Sequence, residues 1–276
     1  DSLPPEAGTG ASGTHATESE VLTSVEERLS RLIDASLLMR ETSLDSGAPR
    51  YRMLETIRAF ASEQLQGHDD GDRARRAHAT YFTTYAVRHE VVELLPEYVD
   101  SMDRLIAEQD NLRAALAWLM TAPDHELFVR LVSALGRFWL AQSAYREGKT
   151  WFERALAVQP TPVSVDSARI QVALGMAEVF LEEDVASEAH LAPALRASRE
   201  HGEAHAAALA LIGLAGLAVG RGDAERSAKL LAEALDAVTA IPDARLAGII
   251  AGWVSINLAV VARSTENEAL AERHIE

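Results

Sequence analysis

The sequence has no cysteine, and aromatic residues make up only 5% of it. The first absence removes disulfides, thiolate zinc sites and cysteine nucleophiles together, and it fits a cytoplasmic protein. The second leaves alanine and leucine to build the core. That favours close-packed helices over a β-sandwich, whose strands want β-branched and aromatic side chains. Positive charge is scarce as well: 26 Lys and Arg stand against 42 Asp and Glu, a net charge of −16. Phosphate contacts need Lys and Arg, so the bulk surface is not a nucleic-acid binder. The deficit is uneven. Residues 31–80 balance eight arginines against eight acids, whereas residues 1–30 carry −5 and residues 81–276 carry −11. No basic-then-apolar leader is present. The chain opens at Asp1 and stops at "ALAERHIE" in mid-helix pattern, which reads as a stretch cut from a longer protein. Uncharged runs at 206–220 and 246–262 fall short of the roughly 20 apolar residues that span a membrane, and both read as buried helices.

What is present is a well-cored composition, 48% apolar and 25% charged over 276 residues, enough for one large domain or two ordinary ones. Residues 1–20, "DSLPPEAGTGASGTHATESE", are polar and read as a disordered linker. Thr23 or Ser24 is expected to cap a helix running to about Asp34, with Val21, Leu22, Val25, Leu29, Leu32 and Ile33 on one face. Residues 37–54 contain two short strand-like runs around the loop signal "SLDSGAP", which predicts a β-hairpin. "ETIRAFASEQL" (55–65) is helical again, with Ile57, Phe60, Ala61 and Leu65 expected inward. Helix, two-stranded wing and helix over 21–66 form the C-terminal portion of a winged helix. After the loop "GHDDGD" (67–72), helices are expected at 73–94, 97–122, 126–142, 145–158, 166–182, 185–200, 203–220, 224–239, 243–263 and 266–276. Residues 73–122 read as linking helices and 126–276 as repeats that stop incomplete.

The later helices come in pairs that resemble one another. The tetratricopeptide pattern sets Leu-Gly and an aromatic in the first helix, then small, large and Ala positions in the second. Leu135, Gly136, Trp139, Gly148, Phe152, Ala155 and Pro160 fall at those spacings. So do Leu174, Gly175, Ser187, Leu191 and Ala194, then Ala215, Ala218, Ser227, Leu231 and Ala234. A fourth unit is expected from Leu258, Ala259, Ala262, Ala271 and Ile275. The anchors Ala155, Ala194 and Ala234 recur 39 and 40 residues apart, longer than the usual repeat. Small residues let two helices approach, and each pair must stack on the next to bury its face. The fold class is therefore mainly α: a partial winged helix with a β-hairpin, followed by an α-solenoid of tetratricopeptide-like helix pairs.

Three motifs invite a chemical reading and lose it. "SAYREGKT" (143–150) ends like a phosphate loop, but Ser143 stands where the first glycine belongs and helix precedes it. His201 and His205 are four apart, yet Gly202 breaks the helix between them, so both read as solvated loop histidines. "HDDGD" (68–72) lacks the alternating ligands of a calcium loop. No catalytic constellation stands out, so neither enzyme activity, nor a metal, nor a cofactor is expected in this stretch.

The strings "SLLMRET…RYRMLETIRAFASEQL", "RARRAHATYF", "EQDNLRAALAWL" and "FW…YREGKTWFERAL" together resemble the segment downstream of the ATPase core in STAND-class signalling ATPases, including long LuxR-type and AfsR-like transcriptional regulators. The resemblance covers about residues 21–276. It implies an upstream nucleotide-binding core that uses ATP or ADP, and a sensor made of the repeats. It also implies that Arg50, Arg52 and Arg58 dock the winged domain on that core rather than on DNA. By repeat position, the inner helices should present Arg130, Ser133, Arg137, Arg169, Val172, Met176, Val179, Ile212, Trp253 and Ile256 to a peptide, protein or small amphipathic effector. The expected function is a regulatory sensor of a transcriptional regulator, with no membrane partner. The alternative is a stand-alone interaction scaffold.

Overall fold

The computed structural model describes residues 18–42, 49–66, 68, 70–92, 96–158 and 164–275, with side chains in the helix ends 18–23 and 264–275, and at residue 66, left aside. It divides into two compact units, residues 1–73 and 74–276. The first unit holds helix α1 (Glu18–Asp34), strands β1 (Met39–Thr42) and β2 (Pro49–Arg52), and helix α2 (Glu55–Gln66). The strands pair antiparallel, Met39 opposite Arg52 and Thr42 opposite Pro49, which is the wing expected over 37–54. Its tip, 43–48, lies outside the described residues, as does most of the expected linker, 1–17. Helix α1 starts at Glu18, so Thr23 and Ser24 sit inside it rather than at its cap. Phe60 was expected to face inward and is 62% exposed. Ile57, Ala61 and Leu65 share the helix's partly buried side.

The second unit is a stack of helices: α3 (Gly71–Arg88, entering from the first unit), α4 (Tyr98–Ala107), α5 (Gln109–Leu119), α6 (His125–Ala141), α7 (Tyr145–Val158), α8 (Val165–Phe180), α9 (Asp184–Glu200), α10 (Ala204–Gly220), α11 (Ala224–Val238) and α12 (Ala244–Ile275). Three sequence expectations change here. Helix 73–94 ends at Arg88, and 97–122 is two helices separated at Glu108. Ala244–Ile275 is one helix where two were expected, at 243–263 and 266–276, so the fourth unit does not fold into a pair. Its sequence offers no Gly or Pro near residue 264 to stop the helix.

The pairing itself follows from the small residues. Ala155, Ala194 and Ala234 are all fully buried, and so are Ser187 and Ser227 at the small position seven residues before the last two. At Gly175 an added Cβ would lie 2.5 Å from Cγ of Leu191, and at Gly148 it would lie 3.0 Å from Cβ of Trp139. The chain keeps glycine at these points because two helices meet there. The Ser187 hydroxyl donates to the Gly175 carbonyl at 2.9 Å, tying α9 to α8. Large residues fill the space left over: Phe152 is fully buried and meets Trp139 edge-on at 5.6 Å.

Turns between helices repeat one device. Ser143, Glu182, Gly202 and Gly222 all have positive φ. The next residue's N–H reaches back five positions in each case, from Ala144 to Trp139, Glu183 to Glu178, Glu203 to Ser198 and Asp223 to Ala218. This is the Schellman closure, which satisfies carbonyls left open at a helix end. Ser164 and Asp223 then cap α8 and α11 by accepting from Ser167 and Arg226 backbone N–H groups.

Two buried clusters make the core. One runs from Ala79 to Ala177, the other from Val172 to Val261, so α8 serves both. The apolar run 206–220 is buried almost throughout, as expected. Among the described residues, the segment Ala244–Arg263 is long and apolar enough to cross a membrane, longer than the sequence reading allowed. It packs Ile250, Val254 and Val261 into the second cluster and leaves Ile256 and Val260 exposed.

Candidate functional site

Helices α6, α8 and α10 are the first members of successive pairs and lie side by side, and the single helix α12 follows them in the stack. Between them is a cavity of about 130 Å³. Its walls are apolar: Leu140, Val172, Met176, Phe180, Leu209 and Trp253. Set into them are Ser133 and Arg137 from α6, Arg169 from α8, His205 from α10 and Glu90 from the segment after α3. A mostly apolar cleft with a few convergent polar groups is the usual form of a ligand site.

Electrostatics in the cavity are set by burial and by the crowding of charge. Burial pushes the Arg137 guanidinium down to about 10, against the pull of Glu90. It raises the Glu90 carboxyl above its ordinary value, opposed by Arg169 and Arg137. Burial and the two arginines together push His205 down to about 4, so its ring is neutral at pH 7. His205 Nε2 is buried without a hydrogen-bond partner. Arg169 sits at the exposed rim. Its Nη2 lies 2.8 Å from Glu203 Oε2, and that pairing outweighs the effect of burial and raises its pKa.

Six of the ten predicted effector residues line the cavity: Ser133, Arg137, Arg169, Val172, Met176 and Trp253. Four do not. Arg130 is exposed and elsewhere on α6, and Ile256 is 66% exposed. Ile212 is 7% exposed and packs in the second cluster, and Val179 packs against that cluster's edge. Repeat position selects the inner helix but not the facing side chain, because α10 is buried on nearly every side. Two of the polar groups escaped the sequence reading. His205 was read as a solvated loop residue; the turn at 201–203 does form, but His205 enters the first turn of α10 and is drawn into the cavity. Glu90 fell inside the helix expected at 73–94 and drew no comment; α3 ends at Arg88, and Glu90 lines the cavity from the segment that follows.

The phosphate-loop lookalike is accounted for by packing. Gly148, Lys149 and Thr150 are all inside α7. The Lys149 ammonium lies 3.2 Å from Oε1 of Glu178, a carboxylate 1% exposed, and also pairs with Glu183. His190 Nδ1 meets the other Glu178 oxygen at 2.7 Å. The lysine is the counter-charge for a buried glutamate. Among the described residues, no group of three or more His, Asp or Glu is placed to hold a metal ion. A larger open groove of about 380 Å³ lies between α9 and α11, but its arginine, Arg199, is already paired with Glu233 at 2.7 Å.

The wing arginines are drawn into local pairs. Arg58 chelates Glu55 through Nε and Nη2, at 2.7 Å for the shortest contact, and this holds the Glu55 carboxyl below its ordinary value. Arg52 Nη1 lies 4.0 Å from Glu41, whose register partner is Arg50.

Residues 14–66 match the winged helix-turn-helix domain family. That match falls within the first unit. Over 235 residues the chain is 32% identical to proteins carrying "HTH-type transcriptional regulator" in their names, Mb0914c of Mycobacterium bovis and Rv0890c of Mycobacterium tuberculosis. The alignment takes in 80% of this chain and 25% of theirs, so the chain spans about a quarter of the length of the curated relatives it matches. Among solved structures it resembles BtubC (BKLC) from P. vanneervenii, with a TM-score of 0.52, 18% identity, and coverage of 73% of this chain and 87% of that one. This last likeness concerns the fold alone.

Proposed function

We propose that this stretch is the regulatory part of a transcriptional regulator of the signalling-ATPase kind, and that the cavity between α6, α8, α10 and α12 is its effector site. The observation that carries the reading is the polar set inside it. Five hydrogen-bonding side chains converge in an otherwise apolar space, and a packed core alone has no use for them. The regulators it resembles and the winged helix-turn-helix match support the regulatory role. Effector capture would favour one arrangement of the stacked helices over another, and a nucleotide-binding core using ATP or ADP would respond to that shift. The stretch itself binds rather than catalyses, and it works in the cytoplasm.

Met176→Trp fills the cavity from a partly buried position. Placed in the full-length protein, it should hold reporter transcription at one level whatever the inducing condition. A normal response would refute the reading.

The winged helix-turn-helix match favours a second reading, in which the first unit holds DNA directly. Arg58 and Arg52 are offset by Glu55 and Glu41, so we favour docking against protein. Anisotropy of a labelled duplex across rising salt separates the two. Docking predicts weak binding at every salt level, and DNA contact predicts an affinity that falls steeply with salt.

A further inference from the structure

We infer that the cavity takes a small monocarboxylate with a short apolar or aromatic body, and that Glu90 occupies the carboxylate seat until the ligand arrives. This rests on the cavity being the effector site.

The lining carries two guanidiniums, Arg137 and Arg169, against one carboxylate, Glu90. Arg169 is held in place by Glu203 through Nε and Nη2. His205 adds an imidazole that stays neutral, with Nε2 buried and open to a ligand oxygen. Guanidiniums and a neutral imidazole around one point suit an anion. Glu203 already balances Arg169, so with Glu90 displaced the site holds one positive charge in excess, which suits a single negative charge better than two.

Size narrows the class further. A cavity of about 150 Å³ lined by Leu, Ile and Phe admits benzene. At about 130 Å³ this one admits a body of that order. Met176, Val172, Leu209 and Trp253 supply the apolar contact.

Glu90 is the unusual member. It belongs to none of the repeat helices and enters from the segment that joins α3 to α4. It lines the cavity alongside Arg137 and Arg169, and burial raises its pKa while their charges pull it down. An incoming carboxylate competes for the same partners.

The test is calorimetric titration of the whole 276-residue chain with benzoate, and with benzamide as its uncharged isostere. Benzoate should bind saturably and benzamide about tenfold or more weakly, since a charge-assisted pair is at stake. Arg137→Gln should cost benzoate a similar factor, and Glu90→Gln should tighten it by removing the competitor. If Arg137→Gln does not fold, Arg169→Gln at the exposed rim carries the same expectation. Equal affinity for benzoate and benzamide would overturn the proposal. So would no benzoate binding, or unchanged affinity in Glu90→Gln. Failure of benzoate together with a reporter still blocked by Met176→Trp would sink the carboxylate assignment alone. A reporter indifferent to Met176→Trp would sink the effector site with it.

Discussion

Between residues 24 and 66 no described side chain is fully buried, whereas helices α3 to α12 bury side chains in two connected clusters. Both units use the same local devices. The turn after α1 has Ser36 at positive φ and a bond from Leu37 N–H to the Leu32 carbonyl, the same closure that ends α6, α8, α9 and α10. What differs is the use made of apolar residues. Val25, Leu37, Met39, Tyr51, Leu54 and Phe60 are each 40% or more exposed. Most of their counterparts in the repeats are enclosed, because an inner pair has neighbours to cover it, although Val185, Val219 and Ile256 stay exposed. Local signals set strand, turn and helix in the first unit, while stacking gives the second its core.

The sharpest way to test that contrast is to delete one aromatic from each unit. Phe152→Ala should cost about 3–5 kcal/mol, the range for emptying a filled core site. Phe60→Ala should cost less than about 0.5 kcal/mol, as at an open surface. Urea unfolding of both variants reads the difference, and similar costs would erase the distinction between the units.

The second comparison is within the cavity and uses pH. His205 has its pKa lowered from 6.5 to about 4. The unfolded chain therefore binds more protons between those values, and stability from this group is present above about 6.5 and lost as pH falls towards 4. Glu90 works the other way. Its raised pKa gives stability that fades as pH climbs past the ordinary carboxyl range. Subtracting the His205→Leu profile from that of wild type isolates the histidine, and the gap should shrink by on the order of 2 kcal/mol between pH 7 and pH 4. A constant gap would mean that His205 is solvated, as the sequence alone suggested.

The smallest effect concerns the turns. Glu182 holds φ at +60° where Gly202 and Gly222 serve elsewhere. Glu182→Gly should stabilise the chain by about 0.5–1 kcal/mol, the relief of left-handed strain less the added freedom of the unfolded chain. The same change at Gln142, the helix end one residue earlier in its own pair, relieves no such strain and should not stabilise.

Much of the fold was legible in the residues. Alternation and loop signals marked the hairpin, and the spacing of Ala155, Ala194 and Ala234 marked the pairs. Helix continuity at 264 was not legible, because no breaker marks it either way. Nor was the exposure of Phe60, since an apolar face looks the same in sequence whether or not something covers it. Arg137, Arg169, Met176 and Trp253, chosen by repeat position, line the cavity, while Ile212, assigned to the same face, packs in the core.

The sequence by itself determined where helices pair and why they can approach, since a missing or short side chain at a fixed period acts locally and needs no knowledge of the rest. Only the tertiary structure decided what the pairs enclose. Glu90, Arg137, Arg169 and His205 are scattered over more than a hundred residues, and no local pattern links them. They meet because stacking carries three inner helices and one connecting segment to the same point, where burial changes what each charge can do.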